Sequence, residues 1–355
     1  MADVTYSSAA AGASLRLGRL DGLRGVAACV VAFAYHPQGM FTDGIFQNAG
    51  PVLNWFHAWG WTFVDLFFLI SGYIFAHVYL GADKLRSAAD VGEFAVARFA
   101  RLYPLHLLML VATALLFWGK PENTPFAFLG HLVMMQAFVQ PVAHTFVGPA
   151  WSLSVEVVCY VLFALGAAAG PRGLRLVTGL AIGIALVAIV LFGNPGGPWV
   201  GDNLPRALLG FFLGQVLWRY RAQLAQIPWY VLGGLMVYGL WFDAGQASPL
   251  IPLCLVAWPA AVLLALRLPL LDSKPMLWLG DRSYAIYLIH QPLIELVLKH
   301  TGPLSGGLWF IAGVHVAVIA ATLVLADLAL RWIEYPARRA IRTAWTRRTL
   351  QPAAA

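Results

Sequence analysis

His36 closes the first long apolar stretch of the chain, in the segment AFAYHPQG, and Arg24 lies twelve positions before it, about 18 Å along an α-helix. A fixed cation at one end of a helix and a titratable base at the other are parts for binding an anion and moving a proton, because histidine has the side-chain pKa best suited to acid–base work near neutrality. The plainer alternative is an interfacial histidine hydrogen-bonded to a neighbouring loop. Asp65, in WTFVDLFFLISGYIFAHVY, is a carboxylate among apolar residues and needs a partner; His36 is one candidate. Ser71-Gly72 in the same helix reads as a notch for close helix packing.

Three further groups set polar chemistry in apolar surroundings. Arg98 and Arg101, in EFAVARFARLYPLHL, share one helix face and offer two guanidinium forks suited to phosphate; otherwise they are basic anchors at the lipid headgroups. Pro104, just beyond, is expected to break or redirect the helix. In GPAWSLSVEVVCYVLF, Trp151 and Ser152 lie beside Glu156, which is costly unpaired at that depth. Glu156 therefore either forms an ion pair with Arg206 or Lys299 or orients His36. In LGDRSYAIYLIHQPLI, Ser283, Tyr287 and His290 follow i, i+4, i+7 spacing and form one polar stripe. That stripe lines a passage, or else it supplies hydrogen-bond glue between helices. The other histidines lack ligand spacing such as His-Glu-x-x-His, and the three cysteines sit singly in apolar runs, so no metal site is expected.

The elements that must hold these residues follow from composition. Of 355 residues 60% are hydrophobic and 11% charged, and the mean hydropathy is +0.74, the profile of an integral membrane protein. The net charge of +7 reads as cytoplasmic loop charge rather than as a nucleic-acid surface. The first fifteen residues lack the basic start and apolar middle of a cleaved signal peptide, so a cytoplasmic tail is expected there. Ten apolar runs, from about 20–37 to about 308–333, are long enough to span a bilayer or nearly so. An eleventh, PFAFLGHLVMMQAFVQ, is short and polar. Taken as an outer-face or re-entrant helix, it leaves all but Lys120, Arg206 and Lys299 of the 23 Lys and Arg on one side, as the positive-inside rule requires. The expected fold is all-α and polytopic, with about ten transmembrane helices plus that short helix. A single unit over 20–342 is expected between cytoplasmic tails at 1–19 and 343–355, with lipid bilayer as its surroundings.

Six segments in order, LDGLRGVAACVVAFAYH, FFLISGY, ARFARLYPLHL, GPAWSLSVEVVCYVLF, LGDRSYAIYLIHQP and IEYPARRAIR, resemble the motif series of the membrane acyltransferase-3 family, which includes bacterial O-acetyltransferases of the cell envelope. The resemblance runs from Leu20 to about Arg342, and six motifs in the family's order are far more specific than any one. It implies a ten-helix fold in the bacterial inner membrane and transfer of an acyl group, usually acetyl from acetyl-CoA, to a hydroxyl of a carbohydrate or glycoconjugate. Carried over by motif, it implies His36 as the catalytic residue, Arg24 as its partner motif residue, Arg98 and Arg101 as the arginine pair, and Trp151, Ser152 and Glu156 as the Trp-Ser-Leu-x-x-Glu motif. With the chain ending at Ala355, no appended hydrolase-like domain is expected.

The family pattern places ten residues between that arginine and that histidine, and here there are eleven. On a regular helix a separation of eleven leaves the two side chains about 20° apart, and twelve about 120°. A π-bulge, or unwinding before Pro37, is therefore expected to re-aim His36.

The parts join in one expectation. Acyl-CoA docks from the cytoplasm with its phosphates on Arg98, Arg101 and Arg24, and its pantetheine arm enters the bundle. His36, oriented by Glu156 or Asp65, then deprotonates an acceptor hydroxyl or takes the acyl group itself. Ser152 with Trp151, and Tyr287 with His290, contribute to substrate or oxyanion contacts. The rival is a transporter or flippase whose Ser283, Tyr287 and His290 stripe lines a path without covalent chemistry, although no repeat relates the two halves of the chain.

Overall fold

Long apolar runs in lipid leave backbone N–H and C=O groups no partners but their own, so the chain resolves into helices. The computed structural model describes residues 16–42, 50–82, 84–193, 200–245 and 248–350, and among these it contains no β-strand. The expected tail at 1–19 thus lies mostly outside the described residues, as do residues 351–355.

Helix α1 (Gly18–Cys29) runs on through a π-helical turn, Val30–Tyr35, and a 3-10 turn, His36–Met40. After α2 (Pro51–Trp59) comes α3 (Phe63–Phe75). Then follow α4 (Ala88–Phe117), the short α5 (Pro125–Leu132), α6 (Trp151–Ala168) and α7 (Gly170–Phe192). The second half holds α8 (Asn203–Arg219), α9 (Trp229–Trp241), α10 (Trp258–Ala265) and α11 (Lys274–Thr301). Helix α12 (Leu308–Ala329) continues through a π turn, Leu330–Glu334, into α13 (Tyr335–Leu350), which passes the boundary expected at Arg342.

Among the described residues, five helical stretches are long and apolar enough to cross a membrane: Pro51–Leu80, Ala88–Phe117, Gly148–Ala168, Gly170–Phe192 and Leu308–Thr349. On α7 the side chains of Leu176, Leu180, Ile184, Val187 and Leu191 are all more than half exposed, an apolar stripe that only lipid would cover at low cost. The eleventh run forms just eight helical residues, about 12 Å long and too short to cross.

Two close helix crossings fix the centre. Gly72 of α3 lies where any Cβ would strike the carbonyl oxygen of Phe211 on α8, and Gly25 of α1 lies where one would meet the backbone of Gly280 on α11. Small residues bring these backbones together as expected of helices that associate in lipid. The result sets α1, which carries Arg24 and His36, directly against α11, which carries the Ser283, Tyr287 and His290 stripe.

Helix α4 corrects an expectation, because it runs unbroken through Pro104. The hydrogen bond that proline forfeits is outweighed by anchoring on both sides: Tyr284 donates to the Leu102 carbonyl at 2.6 Å and Tyr103 to the Leu132 carbonyl at 3.0 Å.

Candidate active site

The widened turn expected between Arg24 and His36 is present at Val30–Tyr35, where the His36 N–H closes an i→i+5 bond to the Val31 carbonyl. One residue absorbed in this turn cancels the roughly 100° that a twelfth α-helical step would add. The turn is held from outside as well, since His315 of α12 lies with Nε2 2.7 Å from the Phe33 carbonyl. No unwinding precedes Pro37: His36 keeps helical dihedrals, φ −68° and ψ −32°, and Pro37 sits in the first turn of the 3-10 segment that follows.

Re-aimed in this way, His36 meets α11. Its Nδ1 lies 2.9 Å from Nε2 of His290 and 3.2 Å from the Val31 carbonyl. The other ring nitrogen of His290, Nδ1, lies 3.1 Å from the Ile286 carbonyl. A carbonyl only accepts, so in a neutral His290 the proton sits on Nδ1 and Nε2 receives the Nδ1–H of His36. That leaves Nε2 of His36 unprotonated, the state of a general base.

A cavity opens toward the other end of the bundle. Its walls include Arg24, Arg98, Arg101, Ser71, Glu156 and Tyr287. Arg24 and the Arg98–Arg101 pair, which the sequence set on different helices, therefore share one mouth. Each already has a partner: Arg24 reaches Ser283 at 3.4 Å, Arg98 packs 4.9 Å from the Phe75 ring centre and 3.3 Å from the Tyr79 hydroxyl, and Arg101 binds Glu334 at 2.6 Å. The stripe faces inward, with Ser283, Tyr287 and His290 all buried.

Several expected roles are corrected. Asp65 does not orient His36: both its oxygens are held at 2.9 Å by the guanidinium of Arg206, and the pair is almost wholly buried. Arg206 is therefore not the partner of Glu156, and Lys299 instead reaches the Leu116 carbonyl. Glu156 accepts from Ser71 at 2.8 Å rather than touching His36. Trp151 packs against Arg206, 4.9 Å from ring centre to guanidinium, which makes it a wall of the buried ion pair. Ser152 and Tyr287 both donate to the Pro149 carbonyl, at 3.2 and 2.9 Å, so an oxyanion role for either requires that bond to be given up.

Two contributors were missed by sequence reasoning. Glu334 ties Arg101 to Arg338 at 2.6 and 2.7 Å; it lies in IEYPARRAIR, one of the six motif segments, to which no role was given. Ser71, read as half of a packing notch, is the hydroxyl that holds Glu156; Gly72 alone makes the notch.

Three arginines, Ser71, Glu156 and Tyr287 thus share one cavity of a helical bundle, and the histidine pair stands next to Tyr287. The acyltransferase domain model, Acyl_transf_3, matches residues 17–327, and the chain belongs to that family. It is 24% identical to the peptidoglycan O-acetyltransferase OatA of Listeria monocytogenes, over 90% of this chain and 55% of that protein, and 25% identical to the O-acetyltransferase OatA of Staphylococcus aureus, over 90% and 57%. With the acyltransferase MdmB of Streptomyces mycarofaciens it shares 28% identity over 89% of this chain and 88% of the relative. The chain thus spans somewhat over half the length of the two O-acetyltransferases. No solved structure matches it significantly.

Proposed function

We propose that this protein is an O-acyltransferase of the bacterial inner membrane that moves an acyl group, acetyl in the simplest case, from cytoplasmic acyl-CoA to a hydroxyl of a carbohydrate or glycoconjugate. In this reading about ten helices span the bilayer and both termini lie on the donor side. The observation that carries it is the succession along α11 of a cavity wall and a histidine pair: Tyr287 lines the cavity that the three arginines share, its ring centre is 6.0 Å from that of His290, and His290 in turn holds Nδ1 of His36. Two of the relatives are named O-acetyltransferases, one of them for peptidoglycan, and the third an acyltransferase, which supports this reading.

The chemistry assigned to the chain's own groups is brief. His36 Nε2 takes the proton of the acceptor hydroxyl as its oxygen attacks the thioester carbonyl, while the Nδ1–H to His290 steadies the imidazolium that forms. The tetrahedral intermediate expels the thiolate, which recovers the proton from His36. His290 is thus a positioning residue, reassigned from direct substrate contact. Glu156, on the cavity wall, places a negative charge on the path between mouth and base.

The test is transfer of labelled acetyl from acetyl-CoA to a carbohydrate acceptor by purified protein in lipid, with free CoA thiol measured in parallel. Wild type should release thiol in step with product, and His36→Ala should do neither. Movement of substrate with no thiol release and no acetylated product would instead assign the cavity to a transporter.

A further inference from the structure

The cavity mouth is finished by residues from a part of the chain that motif reasoning left without a role. Beyond Arg24, Arg98 and Arg101, a polar recess is lined by Arg16, Arg338 and Arg342. Four carboxylates stand among these six guanidinium groups: Asp21 and Asp281, both paired with Arg16 at 2.8 Å, Asp21 also reaching Arg24 at 3.5 Å; Glu334; and, deeper in the cavity, Glu156. Two positive charges remain in excess.

The arrangement is built rather than incidental. Glu334, 1% exposed, clamps Arg101 from α4 and Arg338 from α13, so two forks are fixed before any ligand arrives. Arg338 and Arg342 are one turn apart on one face of α13. That face is docked on α4, where a Cβ on Gly92 would lie 3.1 Å from the Trp345 ring. Arg339 and Arg347 lie on another face of α13 and line a separate groove. The charge directed at the recess is therefore a particular pair, distinct from the general basicity of the helix.

We propose that α13 forms the outer wall of a phosphate-binding mouth, in which Arg338 and Arg342, with Arg24 and Arg98, hold the nucleotide phosphates of a CoA thioester donor. This rests on the donor reading above. A 3′-phosphate and a pyrophosphate require several forks spread over a few ångströms, and a recess with walls from α1, α4, α11 and α13 supplies them. The acyl-bearing arm then points into the cavity toward Glu156 and Tyr287. Anionic lipid headgroups share this phosphate chemistry and are the competing source of ligand.

Purified full-length protein is titrated with CoA, dephospho-CoA and pantetheine in nanodiscs of phosphatidylcholine, with binding read by thermal stabilisation. Arg338→Gln/Arg342→Gln should weaken CoA by about tenfold or more and leave pantetheine unchanged. Arg339→Gln/Arg347→Gln, with the same loss of charge, should match wild type. Arg342→Gln alone, which leaves the Glu334 clamp intact, should show part of the loss and guards against a folding defect. Equal weakening by both double variants would reduce the effect to diffuse surface charge and overturn the proposal. So would a deficit that appears only when phosphatidylglycerol is added to the discs. CoA binding that Arg338→Gln/Arg342→Gln leaves intact sinks this inference alone, whereas a wild type that binds neither CoA nor dephospho-CoA removes the donor reading with it.

Discussion

His290 presents Nε2 to Nδ1 of His36 at 2.9 Å, across 254 positions of sequence, and the carbonyls of Ile286 and Val31 dictate which of the two rings donates. The contact does for His36 what a carboxylate does for the histidine of a hydrolase triad: it selects the tautomer and holds the ring, but it brings no negative charge. Removal of His290 should therefore cost less than removal of His36. His36→Ala is expected to lose about 10³-fold or more of the transfer rate, and His290→Ala about 10–100-fold in kcat with donor KM unchanged. His290→Gln, which can still accept through its amide oxygen, should recover part of that loss. Equal rates for the Ala and Gln variants would count against tautomer control.

The π turn makes a prediction about length. Deleting Ala34, a partly exposed residue of Val30–Tyr35, brings His36 to eleven positions after Arg24, where a regular α-helix puts both within about 20° of one face. The deletion should keep most of the activity. Inserting one alanine at the same place should rotate His36 away from His290 by about 100° and abolish transfer. Acetyl transfer measured beside thermal stability separates rotation from misfolding. An active insertion variant would mean that the direction of the ring is immaterial.

What could be read from the sequence was what repeats along one helix. The inward stripe of Ser283, Tyr287 and His290 follows from i, i+4, i+7 spacing, and the need for a widened turn follows from counting residues against the family pattern. What could not be read was pairing between helices. Asp65 meets Arg206 across 141 positions and Arg101 meets Glu334 across 233. The crossing of α3 and α8 at Gly72 decides the first pairing, and the docking of α13 on α4, where Trp345 meets Gly92, decides the second. Pro104 was misread for a related reason, since local propensity lost to tertiary anchoring.

Asp65 and Arg206 form a pair whose value is structural. With the two side chains 1% and 0% exposed, removing either partner alone strands a charge and should cost about 3–5 kcal/mol. Asp65→Asn or Arg206→Met should then appear as lost expression and a lowered Tm, with kcat per folded molecule nearly unchanged. Asp65→Leu combined with Arg206→Met removes both charges and should recover much of the stability. If Asp65→Asn folds like wild type yet is inactive, the carboxylate has a catalytic role.

Glu156 presents the opposite expectation. It lines the cavity and is held at 2.8 Å by Ser71, and glutamine in its place can still accept that bond through an oxygen. Glu156→Gln therefore keeps the packing and the hydrogen bond while it deletes the charge, and loss of a carboxylate from an apolar helix should leave Tm unchanged or raise it. If the charge acts on the reaction, kcat should fall by about 10²-fold without a change in CoA affinity, because the proposed donor mode puts the phosphates at the arginine mouth rather than at this depth. Ser71→Ala, which keeps the charge and loosens its position, should fall between wild type and Glu156→Gln. Full activity in Glu156→Gln would leave the residue with a packing role and place the whole of the acid–base chemistry on the histidine pair.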